Sequence, residues 1–357
     1  MPALQVFAGP RARARLLSHG LQPQDVRAVP AAAGGAKGLT LLPLDRYLFG
    51  HWLPQSTQTV HLLGASIGAW RMAAACMPDA DAALATLAED YITQSYPHAP
   101  GRLPTAAVVS QIFGQRLQER LGPQARDILN HPRYRLHVFA SRGRGLLHKP
   151  GRLGMPLGWV GAYASNALRR RSLGGWLERV VFSDPRDALP LPLSDFRSHQ
   201  ATLTEQNLCP AVLASCAIPF VLQAVQDVPG GPAGSYWDGG ITDYHLHLNY
   251  AAMADGLVLY PHFIPQVVPG WLDKAWKRRH RASAFLDNLV LLSPSPEWVA
   301  SLPGGKLPDR RDFKTWGDDH AGRQRVWRRA YLESQRLADE FAEMAACGRP
   351  VQALPLA

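Results

Sequence analysis

Hydrophobic and polar positions change period several times along the first 80 residues. Residues 10–19 set Arg11, Arg13 and Arg15 among alanines and leucines, which predicts a short amphipathic helix. Residues 26–32 are β-prone and predict a strand. Pro30 lies within it and cannot donate to a ladder, which points to an edge or a strand end. A glycine cluster, Gly34, Gly35 and Gly38, then leads into a helical stretch reaching about Gly50. Residues 59–63 form a second short strand, and residues 67–77 an alanine-rich helix that Pro78 stops. Strand, turn and helix thus recur twice, the rhythm of a parallel sheet covered by helices.

Downstream, helical patterns occupy 80–95, 105–121 and 205–215, and strand patterns 135–140, 179–182, 256–260 and 289–292. Residues 319–346 carry the longest helical pattern, with Val326, Trp327, Ala330 and Leu337 on its inward stripe. The expected fold is α/β: three layers, α/β/α, around a mostly parallel sheet, with a C-terminal helical extension. The 30 prolines and 31 glycines gather between these elements, and no linker is long enough to divide the chain into separate domains.

Composition narrows the class. With 46% hydrophobic and 18% charged residues, the 357-residue chain can bury a sizeable core, which excludes disorder for most of it. Cys76, Cys209, Cys216 and Cys347 fall in no CxxC or Cys/His spacing, so neither a disulfide scaffold nor a structural zinc site is expected. A reducing, cytoplasmic setting fits that usage. Residues 1–20 hold no continuous apolar signal core, and no run of about 18 apolar residues occurs that would span a membrane. The net charge of +10 suits nucleic acid, an anionic membrane surface or mere solubility.

Three motifs carry chemistry. Gly64-Ala65-Ser66-Ile67-Gly68 has the G-x-S-x-G form of a nucleophile elbow, after an apolar run and before a helix. Its glycines are required because a side chain on either flank would strike the adjoining strand or helix. The other reading is a tight β-to-α turn with a capping serine. Ala33-Gly34-Gly35-Ala36-Lys37-Gly38 sits between strand and helix, where glycines let N–H groups converge on an oxyanion. It lacks the Gly-Lys-Ser/Thr of a phosphate-binding loop. A helix start packed closely on its strand would look the same. Asp238-Gly239-Gly240 closes a short strand and, taken alone, reads as a turn more readily than as a site.

The three motifs in this order, with Ala214-Ser215-Cys216-Ala217-Ile218-Pro219 between the last two, resemble the patatin-like phospholipases over about residues 26–245. The resemblance implies a serine–aspartate dyad, with Ser66 the nucleophile and Asp238 its base. It makes Gly34, Gly35, Ala36 and Lys37 the oxyanion loop, supported by Gly38, Gly64, Gly68, Gly239 and Gly240. It also implies a catalytic domain over 1–300 with an extension over 301–357 packed on it, a phospholipid or other acyl-ester substrate, and neither cofactor nor metal. Two positions depart from the family pattern: Ala33 replaces a usual glycine, and Asp243-Tyr244-His245-Leu246 follows where Asn-x-Pro is common.

Rival readings remain at this level. A Ser-Asp-His triad would draw its histidine from His245, His247, His262, His280 or His320, though 13 histidines make some match near inevitable. A non-catalytic membrane or partner-binding protein would be expected to have lost Ser66 or Asp238, and transfer to an acceptor other than water stays open. Residues 261–285 interleave Phe263, Trp271, Trp276 and Phe285 with Lys274, Lys277, Arg278, Arg279 and Arg281. That mixture suits peripheral contact with an anionic membrane, and Arg169–Arg171 and the basic residues of 142–149 would extend the face. A solvated face with its tryptophans packed inside is the plainer alternative. No nucleic-acid-binding motif accompanies the charge, and the sequence is silent on oligomeric state.

Overall fold

Leu177–Ser183 and Leu289–Pro294 are buried at every position, as strands are when helices cover both faces of their sheet. The computed structural model describes residues 2–356 apart from 100, 150, 152 and 254. In chain order the strands are β1 (Leu4–Ala8), β2 (Val26–Ala31), β3 (Val60–Ala65), β4 (Tyr134–Gly143), β5 (Leu177–Ser183) and β6 (Ser198–Thr202). They continue with β7 (Val225–Gln226), β8 (Ser235–Trp237), β9 (Leu257–Pro261), β10 (Leu289–Pro294) and β11 (Leu354–Pro355).

The sheet runs β11-β1-β10-β9-β2-β3-β4-β5-β6, with β8 on the far end of β4 and β7 beside it. Its centre, β10-β9-β2-β3-β4, is parallel, while β1 and β5 join antiparallel. This is the three-layer α/β/α fold that the strand–helix rhythm implies, with helices packed on a mixed, mostly parallel sheet. The apolar side chains form one large core and a smaller cluster of Leu147, Trp159, Ala162, Leu173, Leu177, Trp237, Ile241 and Leu272.

Of the two places expected for Pro30, the strand end is the one found: β2 lies between β9 and β3, and β9 has already stopped pairing at Ala28. Other elements differ from the sequence expectation. The pattern over 319–346 is two helices, His320–Glu333 and Gln335–Ala346, broken where the Ser334 hydroxyl turns back to donate to the Ala330 carbonyl. Of its expected inward stripe, Trp327, Ala330 and Leu337 are buried and Val326 partly so. A helix at Gly154–Leu168 and the strands β1 and β6 went unforeseen; the helix lacks the charged face that marks an amphipathic one.

The C-terminal segment packs on β1, on residues 47–52 and on Tyr91. Phe341 meets Trp52 and Tyr47 edge-on, Glu340 accepts from the Ala3 and Leu4 amides, and Trp327 stacks on Tyr91.

Candidate active site

Ser66 stands between β3 and the helix Ile67–Ala75 with φ 56° and ψ −131°. A non-glycine residue there stores roughly 1–3 kcal/mol of strain, the mark of a sharp strand-to-helix elbow. The flanking glycines make the turn feasible. A Cβ on Gly64 would fall 2.4 Å from the Ala69 Cα, and one on Gly68 would fall 2.0 Å from the Ala31 carbonyl oxygen. The Ser66 amide donates to Ser215 Oγ at 2.8 Å, and that hydroxyl donates to the Phe139 carbonyl at 2.6 Å. Ser215 thus ties the elbow to β4.

Asp238 is delivered by β8. Its amide donates to the Ala217 carbonyl, and its own carbonyl accepts from Ser141 Oγ. Gly239 must lack a side chain, because a Cβ would lie 1.9 Å from the Phe139 carbonyl oxygen. The Gly240 amide donates to Asp238 Oδ1 at 2.7 Å, and Ser66 Oγ donates to Asp238 Oδ2 at 2.6 Å. Both carboxylate oxygens are therefore fixed. Burial pushes the Asp238 carboxyl up to about 6, against the opposing pull of the Ser66 and Gly240 hydrogen bonds and of Arg310 and Lys274.

The glycine-rich loop lies beside both motifs. The Ala33 methyl packs on Gly240, where a Cβ would come within 2.5 Å, and Gly38 lies against Ile67. Ala33 is thus accommodated by the second glycine of Asp-Gly-Gly. Gly35 has φ +58°, and Gly34 leaves room for the Phe263 ring, 2.6 Å from where its Cβ would stand. Among the described residues, the amides of Gly34, Gly35 and Ala36 donate no hydrogen bond, nor do those of Ile67 and Gly68 at the start of the next helix. These five N–H groups, on the glycine-rich loop and in the first turn after Ser66, thus carry no acceptor among the described residues. Buried bidentate ion pairs brace the surroundings. Arg71, on the helix after Ser66, holds Asp45 beyond the glycine loop, and Arg179 of β5 holds Asp243.

Three cations gather at the site outside any salt bridge among the described residues: Lys37, Lys274 and Arg310. The Lys37 ammonium lies 5.0 Å from the Phe263 ring centre, and the Lys274 ammonium 4.0 Å from that of Tyr244. The Arg310 guanidinium lies 6.0 Å from the centre of Trp271. Burial lowers the Lys37 ammonium. Lys274 keeps part of its side chain exposed, yet desolvation of its ammonium, helped by repulsion from Lys37 and Arg310 and opposed by Asp238, brings it down to about 7. Sequence reasoning placed Lys274 in a basic surface run and passed over Arg310. No motif marks either residue, and only folding brings them to Asp238. Ser215, Ser141 and the Arg71–Asp45 pair were likewise without a readable role.

The five histidines offered for a triad have other partners. His245 is fully buried among Tyr244, His262 and Phe263, with Nδ1 engaged by Gln266 and Val268. His262 is held by Ile264, His280 meets the Asp273 carbonyl, His247 lies near Ser283, and His320 is edge-on to His98. Among the described residues no histidine bonds to Ser66 or Asp238. Within 261–285, Phe263 is core, Trp271 and Trp276 are half-buried, and only Phe285 among these aromatics is exposed. Arg279 pairs with Asp273, which also takes Arg170, and Arg142 and Arg144 pair with Glu178. The basic face is thus smaller than the sequence count suggests. Among the described residues no group of three or more His, Cys, Asp or Glu is placed to hold a metal ion.

A three-layer α/β/α sheet bearing a G-x-S-x-G elbow beside an Asp-Gly-Gly strand end defines the class of the lipid acyl hydrolases. Within that class, the model of the patatin-like phospholipases matches residues 45–245, more than half of the chain, and the chain belongs to this family. The match takes in Ser66 and Asp238 and begins after the glycine-rich loop. Among solved structures the chain is similar to VipD from Legionella pneumophila, with a TM-score of 0.38 at 13% identity over 88% of this chain and 67% of that one. No curated protein matches the chain.

Proposed function

We propose that the protein hydrolyses lipid carboxylic esters of the phospholipase A or lysophospholipase kind, through an acyl-enzyme on Ser66 with Asp238 as base. The observation that carries this reading is the 2.6 Å hydrogen bond from Ser66 Oγ, on its strained turn, to the buried Asp238 carboxylate. Ser66 Oγ attacks the ester carbonyl carbon as its proton passes to Asp238 Oδ2. The new C–O bond pushes an electron pair onto the carbonyl oxygen, which the free amides of Gly34, Gly35, Ala36, Ile67 and Gly68 are available to receive. Collapse breaks the bond to the alcohol, which leaves with the proton from Asp238. Water then attacks the acyl-serine while Asp238 takes its proton, the fatty acid departs, and Ser66 regains its hydrogen.

A carboxylate is a weak base for an alcohol. Raising Asp238 to about 6 brings it closer to working pH, and the dry site strengthens each amide contact. The lack of any histidine bonded to the pair favours the dyad over a triad. Lys37, Lys274 and Arg310, outside any salt bridge among the described residues and close to the site, favour a substrate bearing a phosphate or similar anion near its ester. The test is Ser66→Ala assayed with phospholipid and with a short acyl ester. Loss of fatty-acid release with an unchanged circular dichroism spectrum is expected, and retained full activity would refute the mechanism.

A further inference from the structure

We infer that the outer face of the helix Gly154–Leu168, flanked by exposed cations, is a docking surface for an anionic lipid bilayer and brings the Ser66–Asp238 site to it. The inference rests on the lipid-hydrolase reading for its purpose but on separate observations for its substance.

The helix reads GMPLGWVGAYASNAL, 15 residues without a charge. Its inner face, Gly158, Trp159, Ala162 and Asn166, is buried. The opposite face exposes Leu157 (63%), Val160 (66%), Tyr163 (45%) and Leu168 (86%), with Leu153 (81%) just before the helix. Their spacing of three to five residues makes one continuous apolar stripe. Leu146, half exposed, extends it alongside Gly154 and Gly158. Isolated apolar residues are ordinary at a protein surface, but a contiguous stripe along a whole helix marks an interaction face.

Charge selects the occupant. Lys149 before the helix and Arg169 and Arg171 after it are exposed and pair with no carboxylate among the described residues. Between Asp127 and Glu178 the sequence contains no acidic residue at all. An exposed apolar stripe with cationic ends, in a stretch of sequence without acidic residues, matches an anionic lipid surface, with side chains entering the acyl region and cations at the headgroups.

The face is rigidly linked to the site. Trp159, on the buried side of the same helix, packs edge-on against Trp237 at 5.4 Å, and Trp237 immediately precedes Asp238. Asn166 donates to Asp273, which also anchors Arg170 and Arg279 at the segment bearing Trp271 and Lys274. One layer of packed side chains thus separates the stripe from the strand that holds the base.

The test uses the full chain with phosphatidylcholine vesicles made with and without phosphatidylserine. Parent protein should sediment with the anionic vesicles and less so as salt rises. L157D/V160D, both at exposed positions, should lose at least tenfold in vesicle binding and vesicle-lipid hydrolysis, while cleaving a soluble short-chain ester at the parent rate. Unchanged vesicle binding by the double variant would overturn the inference. So would failure of the parent to bind either vesicle, or a parent dimer that the same substitutions make monomeric. Binding is read independently of chemistry. If Ser66→Ala still cleaves the soluble ester, the hydrolase mechanism fails while vesicle binding still decides the docking face.

Discussion

At the scale of single residues, the site depends on a carboxylate kept in an unfavourable setting. Asp238 has its folded pKa raised from 3.8 to about 6 because burial disfavours its charge. The native state therefore binds more protons than the unfolded state between those values. This term weakens the fold as pH rises through that window and stays unfavourable above it. Asp238→Asn keeps the shape and an acceptor for Gly240 but removes the charge. It should be inactive, yet more stable than the parent above pH 6, by on the order of 1–3 kcal/mol in urea denaturation at pH 8. The difference should vanish below about pH 4. The parent's activity on a neutral ester should fall about tenfold per unit of pH below 6. Lys274, held down to about 7, should shed its charge as pH rises through neutrality. KM for a phosphate-bearing ester should then rise above pH 7 while KM for a neutral ester stays flat, a split that Lys274→Met should abolish.

Local elements explain why some of this was readable in advance. G-x-S-x-G was legible because its steric demands are local: Gly64 and Gly68 face atoms within a few residues or on the adjoining strand. Helices with a charged face or a clear stop were legible for the same reason. The Gly154–Leu168 helix was not, since apolar residues on both sides erase the 3.6-residue period. Supports that join distant segments were also hidden. Nothing in the sequence pairs Arg71 with Asp45, or Ser215 with the Ser66 amide. Asp45→Ala should leave Arg71 buried without its carboxylate and cost about 3–5 kcal/mol of stability in thermal or chemical unfolding. Ser215→Ala should preserve the fold but loosen the elbow, lowering kcat more than it raises KM; the opposite split would assign Ser215 to substrate binding instead.

For the molecule as a whole, the parallel core and the order of the motifs were legible, whereas the location of charge was not. The +10 balance does not spread as one basic face. Arg142, Arg144, Arg170, Arg179 and Arg279 are held in internal ion pairs. Lys37, Lys274 and Arg310 converge on the site, from a loop near the start of the chain and from two segments beyond the family-matched residues. The Ser66–Asp238 pair and the cations around it thus come from separate stretches of the sequence. No helix among the described residues is long and apolar enough to cross a membrane.

The central claim, that Ser66 is activated by Asp238, is tested most directly by the rate of fluorophosphonate labelling followed by mass spectrometry of the intact protein and its peptides. One adduct should form, on the peptide containing Ser66. It should be absent in Ser66→Ala and slowed by at least a hundredfold in Asp238→Asn. Labelling of Asp238→Asn at the parent rate, or an adduct at any other residue, would contradict the account.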